Sequence, residues 1–439
     1  MDISVIGTGY VGLVTGVCFA ELGMNVVCSD VNKEKIKNLD KGVIAFSEPG
    51  LEEMLKRNCQ LGRLRFTPDM REAVEHGKVV FIAVDTPVLE DGSVDLSNMM
   101  DAAEQIASCM TDYRVIVYKS TVPIGTGRRI KDLIKGVIRQ KKENIDFDIV
   151  SNPEFFKEGS GIYDFIASDR IVVGVENERS AGIMQGLFNS QILINNIPLI
   201  ITSLETAEMI KYASSCFLAA KAGFINEIAS ICELCNADVK VVSLGMGFDR
   251  LIGIKFPNPE PGFDGNCYLK DSRAFLKTCE SLGYIPKIIK SALGVSNNQK
   301  KVVFTKIRKA VGRLKNKNVT ILGIAYKPET DDIRESPAIS IINMLVEKGA
   351  KVKVFDPKAM NNARKQYPDL CVQYCSGVEE ACRNSNCIIL HTEWKQFQNL
   401  NFLKLGEIVK TPVFIDLRNI YEPARVKSAG FSYTGMGRC

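Results

Sequence analysis

Residues 3–12 read ISVIGTGYVG, a short apolar run that passes directly into a glycine-rich turn. The run has the length of a buried strand, and the residues after the turn have the pattern of a helix. In such a unit the first glycine allows a tight turn, the second lets the backbone approach a pyrophosphate, and the third lets helix and strand pack closely. The stretch therefore predicts a Rossmann-like α/β fold that binds a dinucleotide.

An acidic residue at the expected distance supports this interpretation. Asp30 closes the next apolar run, Val26–Ser29. A carboxylate there binds the ribose hydroxyls and repels an additional phosphate, so the sequence favours NAD over NADP. Lys33 and Lys35 follow closely, and they are the feature that would suit NADP instead. The predicted dinucleotide site contains Gly7, Gly9, Tyr10, Val11, Gly12, Asp30 and Lys35.

Short apolar runs alternate with helical patterns through the first 200 residues. Turn residues bound each run, as expected for strands that are buried on both faces of a mostly parallel sheet. We therefore expect an α/β domain over residues 1–200, with helices on both faces of the sheet. The predicted strands are Ile3–Ile6, Val26–Ser29, Val79–Val84, Val115–Lys119, Phe147–Ser151 and Ile171–Val175.

The composition changes in the middle of the chain. Residues 204–235 contain no proline and one glycine, and apolar residues recur at helical spacing from Met209 to Phe224. This pattern predicts one long helix. A long helix in mid-chain usually joins two lobes, so we expect residues 201–300 to form a helical region that also mediates dimerisation.

A second alternation of strands and helices begins near Val319 and predicts a C-terminal α/β domain over residues 301–439. The fold class is thus α/β, with two Rossmann-like doubly wound domains joined by a long central helix. The second domain has Gly323-Ile-Ala-Tyr where a dinucleotide loop would be, so we expect it to bind a different ligand. Its predicted strands are Val319–Leu322, Val352–Phe355, Cys387–Leu390 and Val413–Ile415, with a helix over Ala338–Lys348.

The composition is that of a soluble globular protein, with 46% hydrophobic and 24% charged residues among 439. The net charge of +5 is spread along the chain, so nucleic acid is not an expected partner. No signal peptide is evident, and no uninterrupted apolar run reaches the roughly 18 residues that span a membrane. Fourteen cysteines without a secretion signal predict a reducing, cytoplasmic location. Cys232 and Cys235 form a CxxC with no second pair nearby, so we expect no metal site.

The segment PGFDGNCYLKD, residues 261–271, is the strongest candidate for a reactive site. Glycines before Cys267 let the backbone come close to a ligand. If Cys267 opens a helix, the helix end and Lys270 both favour the thiolate, and Asp271 lies on the same helical face. From these residues alone, a structural cysteine in a loop is equally compatible with the pattern.

Further motifs extend over nearly the whole chain. They include EPGL at Glu48, KSTVPIGTG at Lys119, NPEFFKEG at Asn152, LGIAYKPETDDIRESP at Leu322, FDP at Phe355, TEW at Thr392 and DLRN at Asp416. In this order and spacing, the chain resembles the UDP-glucose dehydrogenase family, which belongs with the GDP-mannose dehydrogenases.

The resemblance implies that the chain uses NAD to oxidise the sugar of a nucleotide sugar twice, from alcohol to carboxylate, through a thioester on Cys267. Glu154 matches the acid/base position, and Lys211 matches a lysine that stabilises developing oxyanion charge. Thr121 matches a residue that helps to hold a water near the reacting carbon. The implied catalytic residues are Cys267, Glu154, Lys211, Asp271, Thr121 and Ser215.

The resemblance also implies binding residues. It adds Val84, Thr86, Pro87, Ser120, Thr121, Glu158 and Arg334 to the cofactor site. For the substrate it implies Glu154, Phe155, Phe156, Lys157, Lys211, Asn258, Gly262, Phe263, Asp264, Gly265, Tyr326, Lys327 and Arg418. Three pairs, Glu154/Glu158, Lys211/Ser215 and Cys267/Asp271, are spaced as on one face of a helix if those segments are helical.

Several residues depart from the family pattern. Ser215 replaces an asparagine, Leu251 replaces an arginine, and Asp264 and Asn266 replace glycine and serine; Leu269 and Asp85 are further departures. The leading hypothesis is oxidation of UDP-glucose to UDP-glucuronate by a homodimer. The departures leave two alternatives, namely the same chemistry on an N-acetylated or GDP-linked sugar, or a nucleotide-sugar-binding regulator with little chemistry.

Overall fold

The computed structural model describes residues 1–255, 258–262 and 266–438, with only the backbone at 266 and 267. The chain divides into two compact units. The first contains residues 1–214 and 273–284, and the second contains residues 215–272 and those from 285 onward.

The first unit contains an eight-stranded sheet in the order β3-β2-β1-β4-β5-β6-β7-β8. All pairings are parallel except that of β6 with β7. The strands are β1 Asp2–Ile6, β2 Asn25–Ser29, β3 Leu64–Thr67, β4 Val79–Ile82, β5 Arg114–Tyr118, β6 Phe147–Ser151, β7 Ile171–Gly174 and β8 Leu199–Thr202. The six predicted strands are confirmed, whereas β3 and β8 were not predicted.

Both faces of this sheet are covered by helices because its central strands are apolar along their whole length. On β4, Val79 and Phe81 enter one hydrophobic core while Val80 and Ile82 enter the other. The helices of this part of the chain are α1 Tyr10–Glu21, α2 Lys33–Asp40, α3 Leu51–Gln60, α4 Met70–His76, α5 Ser97–Cys109, α6 Thr126–Gln140, α7 Gly161–Ile166 and α8 Glu178–Asn195.

The long helix α9 covers Leu204–Cys235, as the sequence predicts. Its buried side includes Tyr212 and Cys216, whereas Phe217 and Phe224 of the predicted apolar stripe are exposed. Among the described residues, α9 alone has the length and mean hydropathy to cross a membrane, and 44% of its most apolar window is buried inside the protein. Core helices of globular proteins meet the same criterion.

The second unit contains a six-stranded parallel sheet in the order β11-β10-β9-β12-β13-β14. The four predicted strands are confirmed, and the two edge strands β11 and β14 were not predicted. The strands are β9 Asn318–Leu322, β10 Lys351–Phe355, β11 Val372–Tyr374, β12 Cys387–Leu390, β13 Val413–Asp416 and β14 Ser432–Gly435.

Helices complete the second α/β layer around a core that contains Ile321, Ile342 and Ile389. The fold is therefore α/β with two Rossmann-like sheets and a long central helix. The remaining helices are α10 Val239–Gly247, α11 Asn266–Ser281, α12 Lys287–Val311, α13 Pro337–Glu347, α14 Met360–Gln366, α15 Val378–Cys382, α16 Phe402–Ile408 and α17 Pro423–Ser428.

Candidate active site

The glycine turn after β1 has the geometry that a dinucleotide requires. Gly7 adopts φ +96°, and a Cβ there would lie 2.6 Å from the carbonyl oxygen of Ala83. A Cβ on Gly12 would lie 1.9 Å from the carbonyl oxygen of Gly7, so α1 and β1 can approach only without it. Gly9, by contrast, faces open space apart from one Asp85 carboxylate oxygen at 3.7 Å. The turn thus leaves an accessible backbone at the start of α1, where a helix N-terminus favours an anion.

Asp30 lies at the end of β2 beside this turn. Its carboxylate accepts hydrogen bonds from the Thr8 amide at 2.9 Å and the Thr8 hydroxyl at 2.7 Å, and Lys35 Nζ is 2.9 Å away. Burial alone would raise the pKa of Asp30, but the donors of Asn32, Thr8 and Lys35 lower it. The carboxylate therefore stays ionised, as an acceptor for ribose hydroxyls must.

A pocket of about 260 Å³ adjoins Asp30. Its lining includes Thr8, Leu13, Lys35, Leu39 and Phe46, and thus combines apolar side chains with a few polar groups. This composition suits the adenosine half of a dinucleotide. Together with the open backbone at Gly9, the residues present fit an NAD molecule.

Two hydrogen bonds connect residues of the predicted wall of this site. The Ser120 hydroxyl donates to the Val84 carbonyl at 2.6 Å, and the Thr86 hydroxyl donates to the Thr121 carbonyl at 2.9 Å. These residues follow β4 and β5, so the carboxyl ends of neighbouring strands meet there. Pro87 follows Thr86 and is exposed. Parallel sheets usually bind ligands at this edge.

Glu154 and Lys211 form a buried ion pair in the first unit. Lys211 Nζ donates to Glu154 Oε1 at 3.2 Å, and the two residues are 5% and 7% exposed. Lys211 belongs to α9, while Glu154 follows β6. Phe155 packs beside the pair, with Lys211 Nζ 5.5 Å from its ring centroid. Lys211 is therefore a buried lysine and not a solvated one, although most lysines on helices face water.

Glu154 and Glu158 do not share a helical face, because the segment that carries them is not helical. Residues 152–158 form an extended loop and turn between β6 and α7, not a helix. Glu154 Oε2 instead accepts the Phe156 amide at 2.5 Å within this loop. Lys157 is exposed, and its carbonyl accepts the Tyr10 hydroxyl at 3.1 Å.

Lys119 is a further candidate site residue, which the sequence pattern did not single out. It is 4% exposed, and its Nζ donates to Asn152 Oδ1 at 3.0 Å. Burial lowers the pKa of Lys119 to about 8; Glu154 acts against this shift and Lys211 reinforces it. Its position at the end of a predicted strand, directly before Ser120 and Thr121, was the available signal.

Two buried glutamates that were also missed fix the surrounding loops. Glu208, on α9, accepts the amides of Gly125 and Gly127 at 2.6 and 2.9 Å, and the Tyr118 hydroxyl at 2.8 Å. Glu48 accepts the Tyr10 hydroxyl at 2.7 Å and the Gly159 amide at 2.6 Å. Both carboxylates thus satisfy backbone donors of glycine-containing loops next to predicted site residues.

In the second unit, Ser215 on α9 meets Asp271 on α11. The Ser215 hydroxyl donates to Asp271 Oδ2 at 2.7 Å, and both residues are buried. Cys267 is the second residue of α11 and therefore precedes Asp271 by one helical turn. Both predicted helical pairs, Lys211/Ser215 and Cys267/Asp271, lie within single helices.

Arg418 lies just after β13 and is buried among polar groups. Its Nε donates to the His391 carbonyl at 2.7 Å, and its Nη2 donates to the Tyr326 carbonyl at 2.9 Å. Tyr326 and His391 follow β9 and β12, the strands between which the order of the sheet reverses. The Lys327 ammonium lies 5.5 Å from the Tyr326 ring centroid. The second sheet therefore gathers three of the predicted nucleotide-binding residues at its switch point.

Other predicted residues have different surroundings. Arg334 forms an ion pair with Asp332 at 2.6 Å, and 53% of its side chain is exposed. Asn258 is exposed, and Gly262 is buried with a Cβ position 3.0 Å from Pro337. Leu251 is 97% exposed. Phe263, Asp264 and Gly265 lie outside the described residues.

The fold and the glycine turn define a dinucleotide-dependent enzyme with a second Rossmann-like sheet for another ligand. Three family models match the chain, all described as UDP-glucose/GDP-mannose dehydrogenase family. The NAD binding domain matches residues 1–192, the central domain residues 205–299, and the UDP binding domain residues 320–423.

Individual proteins are similar over the full length. A UDP-glucose 6-dehydrogenase of Rhizobium meliloti is 42% identical over 443 residues, covering 100% of both chains. UDP-glucose 6-dehydrogenase TuaD of Bacillus subtilis is 40% identical, covering 99% of this chain and 93% of its own. A solved UDP-glucose dehydrogenase from Pyrobaculum islandicum superposes with a TM-score of 0.91 at 34% identity, covering 100% and 98%.

The chain belongs to the UDP-glucose/GDP-mannose dehydrogenase family. It is an NAD-dependent oxidoreductase, and the glycine turn with Asp30 lies within the family's NAD binding domain.

Proposed function

We propose that this enzyme oxidises the C6 alcohol of UDP-glucose in two steps to UDP-glucuronate. The observation that carries the proposal is the buried ion pair of Lys211 with Glu154, because a paired cation and carboxylate supply both charge stabilisation and proton transfer. Full-length relatives named UDP-glucose 6-dehydrogenase, 42% and 40% identical to this chain, support the choice of sugar nucleotide.

NAD, when bound, supplies the acceptor for the hydride lost in each oxidation. In this proposal the open backbone at Gly9 and the ionised Asp30 hold it. Glu154 accepts the proton of the C6 hydroxyl, directly or through a water held near Thr121. Lys211 then stabilises the negative charge that develops on that oxygen.

Cys267 is the proposed nucleophile of the second oxidation. Its thiolate adds to the aldehyde carbon to give a thiohemiacetal, and loss of the second hydride leaves a thioester. Water then cleaves the carbon–sulfur bond, which releases the carboxylate and regenerates the thiolate. The hydrogen bond of Ser215 to Asp271 supports this assignment, because it fixes the helix that carries Cys267 one turn away.

The second sheet is proposed to hold the uridine diphosphate. Tyr326, Lys327 and Arg418 are the candidates, and the match of residues 320–423 to a UDP binding domain supports them. Residues 1–200 then act as the cofactor domain, 201–300 as the helical region, and 301–439 as the nucleotide domain.

We further propose a homodimer in the cytoplasm. Five large apolar side chains on the part of α9 within the second unit are exposed, and a second copy would cover them. They are Phe217, Leu218, Phe224, Ile231 and Leu234.

The proposal is tested by incubating the full chain with NAD and a panel of nucleotide sugars. We expect two NADH per UDP-glucose consumed. Activity only with an N-acetylated or GDP-linked sugar would keep the chemistry and change the substrate. Binding of a nucleotide sugar without NADH formation would favour a nucleotide-sugar-binding regulator and contradict the proposed oxidation.

Cys267→Ser tests the nucleophile separately. We expect this variant to lose the overall four-electron oxidation by about a thousandfold or more while it still binds UDP. Cys371→Ser, which changes an exposed cysteine of the second unit, is the matched control. Full turnover by Cys267→Ser would exclude the thioester.

A further inference from the structure

Two carboxylates approach the guanidinium of Arg418 at the carboxyl ends of the second sheet. Glu393 Oε2 lies 3.0 Å from Arg418 Nε, and Glu260 Oε2 lies 3.7 Å from Arg418 Nη1. The cluster therefore places two acidic side chains against one guanidinium. An anionic ligand that enters this crevice therefore meets a cation that already has two acidic neighbours.

Glu260 is held in this place by its backbone. Its amide donates to Asn226 Oδ1 at 2.8 Å, and its carbonyl accepts from Gln299 Nε2 at 3.2 Å. Asn226 and Gln299 are both buried, on α9 and α12. About a third of the Glu260 side chain, 32%, is nevertheless exposed. The residue thus has an anchored backbone and a carboxylate that a ligand can reach.

The charges around Glu260 oppose one another. Burial raises the pKa of Glu260, the positive charge of Arg418 lowers it, and the negative charge of Glu393 raises it further. The net shift is upward. Arg418 therefore does not fully offset the effects of burial and of Glu393 on the Glu260 carboxyl group.

We propose that Glu260 is an affinity-determining residue that competes with the nucleotide diphosphate for the guanidinium of Arg418. The inference rests on the proposed function, in which Arg418 binds that diphosphate. A phosphate oxygen that contacts the guanidinium must also come close to the Glu260 carboxylate. The repulsion between the two anions weakens binding in proportion to the charge of the nucleotide.

The test measures binding of uridine, UMP and UDP to the full chain by calorimetry. We expect Glu260→Gln and Glu260→Ala to bind UDP about five- to tenfold more tightly, because one repelling charge is removed. The gain should be smaller for UMP and absent for uridine. Glu260→Ala excludes the explanation that a new amide donor causes the gain. Glu347→Gln, an exposed carboxylate at the end of α13, should leave all three affinities unchanged.

Unchanged or weaker UDP binding by both Glu260 variants would overturn the proposal, since Glu260 would then orient Arg418 rather than compete for it. An equal gain with uridine would also overturn it. If the wild-type chain itself fails to bind UDP, the proposed function fails and the inference fails with it. Wild-type binding without a charge-dependent gain refutes the inference alone.

Discussion

The two sheets share the strand order 3-2-1-4-5-6 over six strands, and the first sheet continues with β7 and β8. They differ in the turn that follows the first strand. The first strand of each is followed by a glycine with positive φ, Gly7 at +96° and Gly323 at +90°. After Gly7, the helix begins at Tyr10. After Gly323, the next helix begins only at Pro337. The first turn therefore presents a helix N-terminus to a ligand, and the second inserts a loop there.

Each sheet also has an aspartate directly after its second strand, and the two aspartates differ in burial. Asp30 follows β2, and 12% of its side chain is exposed beside a pocket. Asp356 follows β10 and is fully buried. It accepts the amides of Ile324 and Ala325 at 2.7 and 3.0 Å, and the Trp394 indole N–H at 3.1 Å. Asp30 is thus open to a ribose, whereas the Asp356 carboxylate is buried and bonded to residues that follow β9 and β12. The same strand order thus leaves an accessible carboxylate in the first sheet and a buried structural one in the second.

The largest expected effect tests the first turn. Gly12→Ala places a Cβ 1.9 Å from the Gly7 carbonyl oxygen, so α1 and the turn must separate. We expect NAD binding to weaken by about a thousandfold or more, because the backbone donors leave their positions. Calorimetric titration with NAD measures the loss, and titration with UDP reports on the second sheet.

Gly136→Ala is the control for this variant, because a Cβ on Gly136 of α6 meets nothing within 4 Å. It should bind NAD normally. A Gly12→Ala variant with wild-type NAD affinity would refute the claim that the close packing of α1 positions the cofactor.

Each sheet has a buried basic side chain at the end of a strand, and the two side chains make the free energy of unfolding depend on pH in different ranges. Burial lowers the pKa of Lys119, after β5, to about 8, and lowers that of His391, after β12, well below its ordinary value. Between pH 8 and the ordinary lysine value of 10.5, the unfolded chain holds a proton that folded Lys119 has released. The free energy of unfolding therefore rises with pH in this window, by about 3 kcal/mol in total.

Lys119→Met should lack that rise, so urea unfolding of both proteins at several pH values between 7 and 10.5 measures the difference. Lys135→Met, on an exposed position of α6, controls for the loss of a lysine. For His391 the sign is the same but the window differs, since stability falls as the pH drops below 6.5. If the free energies of unfolding of wild type and Lys119→Met change with pH in parallel, the lowered pKa of Lys119 is contradicted.

The smallest expected effects come from replacing the two aspartates, Asp30 and Asp356, by asparagine. Asp356→Asn should lower the free energy of unfolding by about 2 kcal/mol, because its amide group faces donors that then lack an acceptor. Asp30→Asn should lower it by less, about 1 kcal/mol, because the donors of Asp30 are partly exposed to water. It should also weaken NAD binding about tenfold. Thermal unfolding and NAD titration separate the two outcomes. A stability loss of similar size in both would show that Asp30 is also structural.

The predictability of the strands follows from their burial. Central parallel strands are apolar on both faces, so β1, β4, β12 and their neighbours are continuous apolar runs in the sequence. The unpredicted strands lie towards the edges and mix exposed and buried positions, as in Leu64–Thr67, LRFT. Their ladder partners come from elsewhere in the chain, and a local pattern does not contain that information.

In the candidate site too, local features could be predicted from the sequence and contacts between distant residues could not. Helical spacing correctly placed Lys211 with Ser215, because α9 is regular over 32 residues. It failed for Glu154 and Glu158, where a chain with Pro153 and Gly159 nearby forms a loop. The partners themselves could not be predicted. Glu154 is 57 residues from Lys211, and Asp271 is 56 residues from Ser215. Only the packing of distant elements brings such pairs together.

The chain passes between its two compact units three times, after residues 214, 272 and 284. Two of these passages fall inside uninterrupted helices, α9 and α11. During synthesis on a ribosome, the first unit therefore cannot fold completely until residues 273–284 have been made. A shortened gene that stops at the end of α9 would encode the whole glycine turn but not the whole first unit. Expression of the cofactor-binding half alone would need those twelve residues supplied through a designed connection.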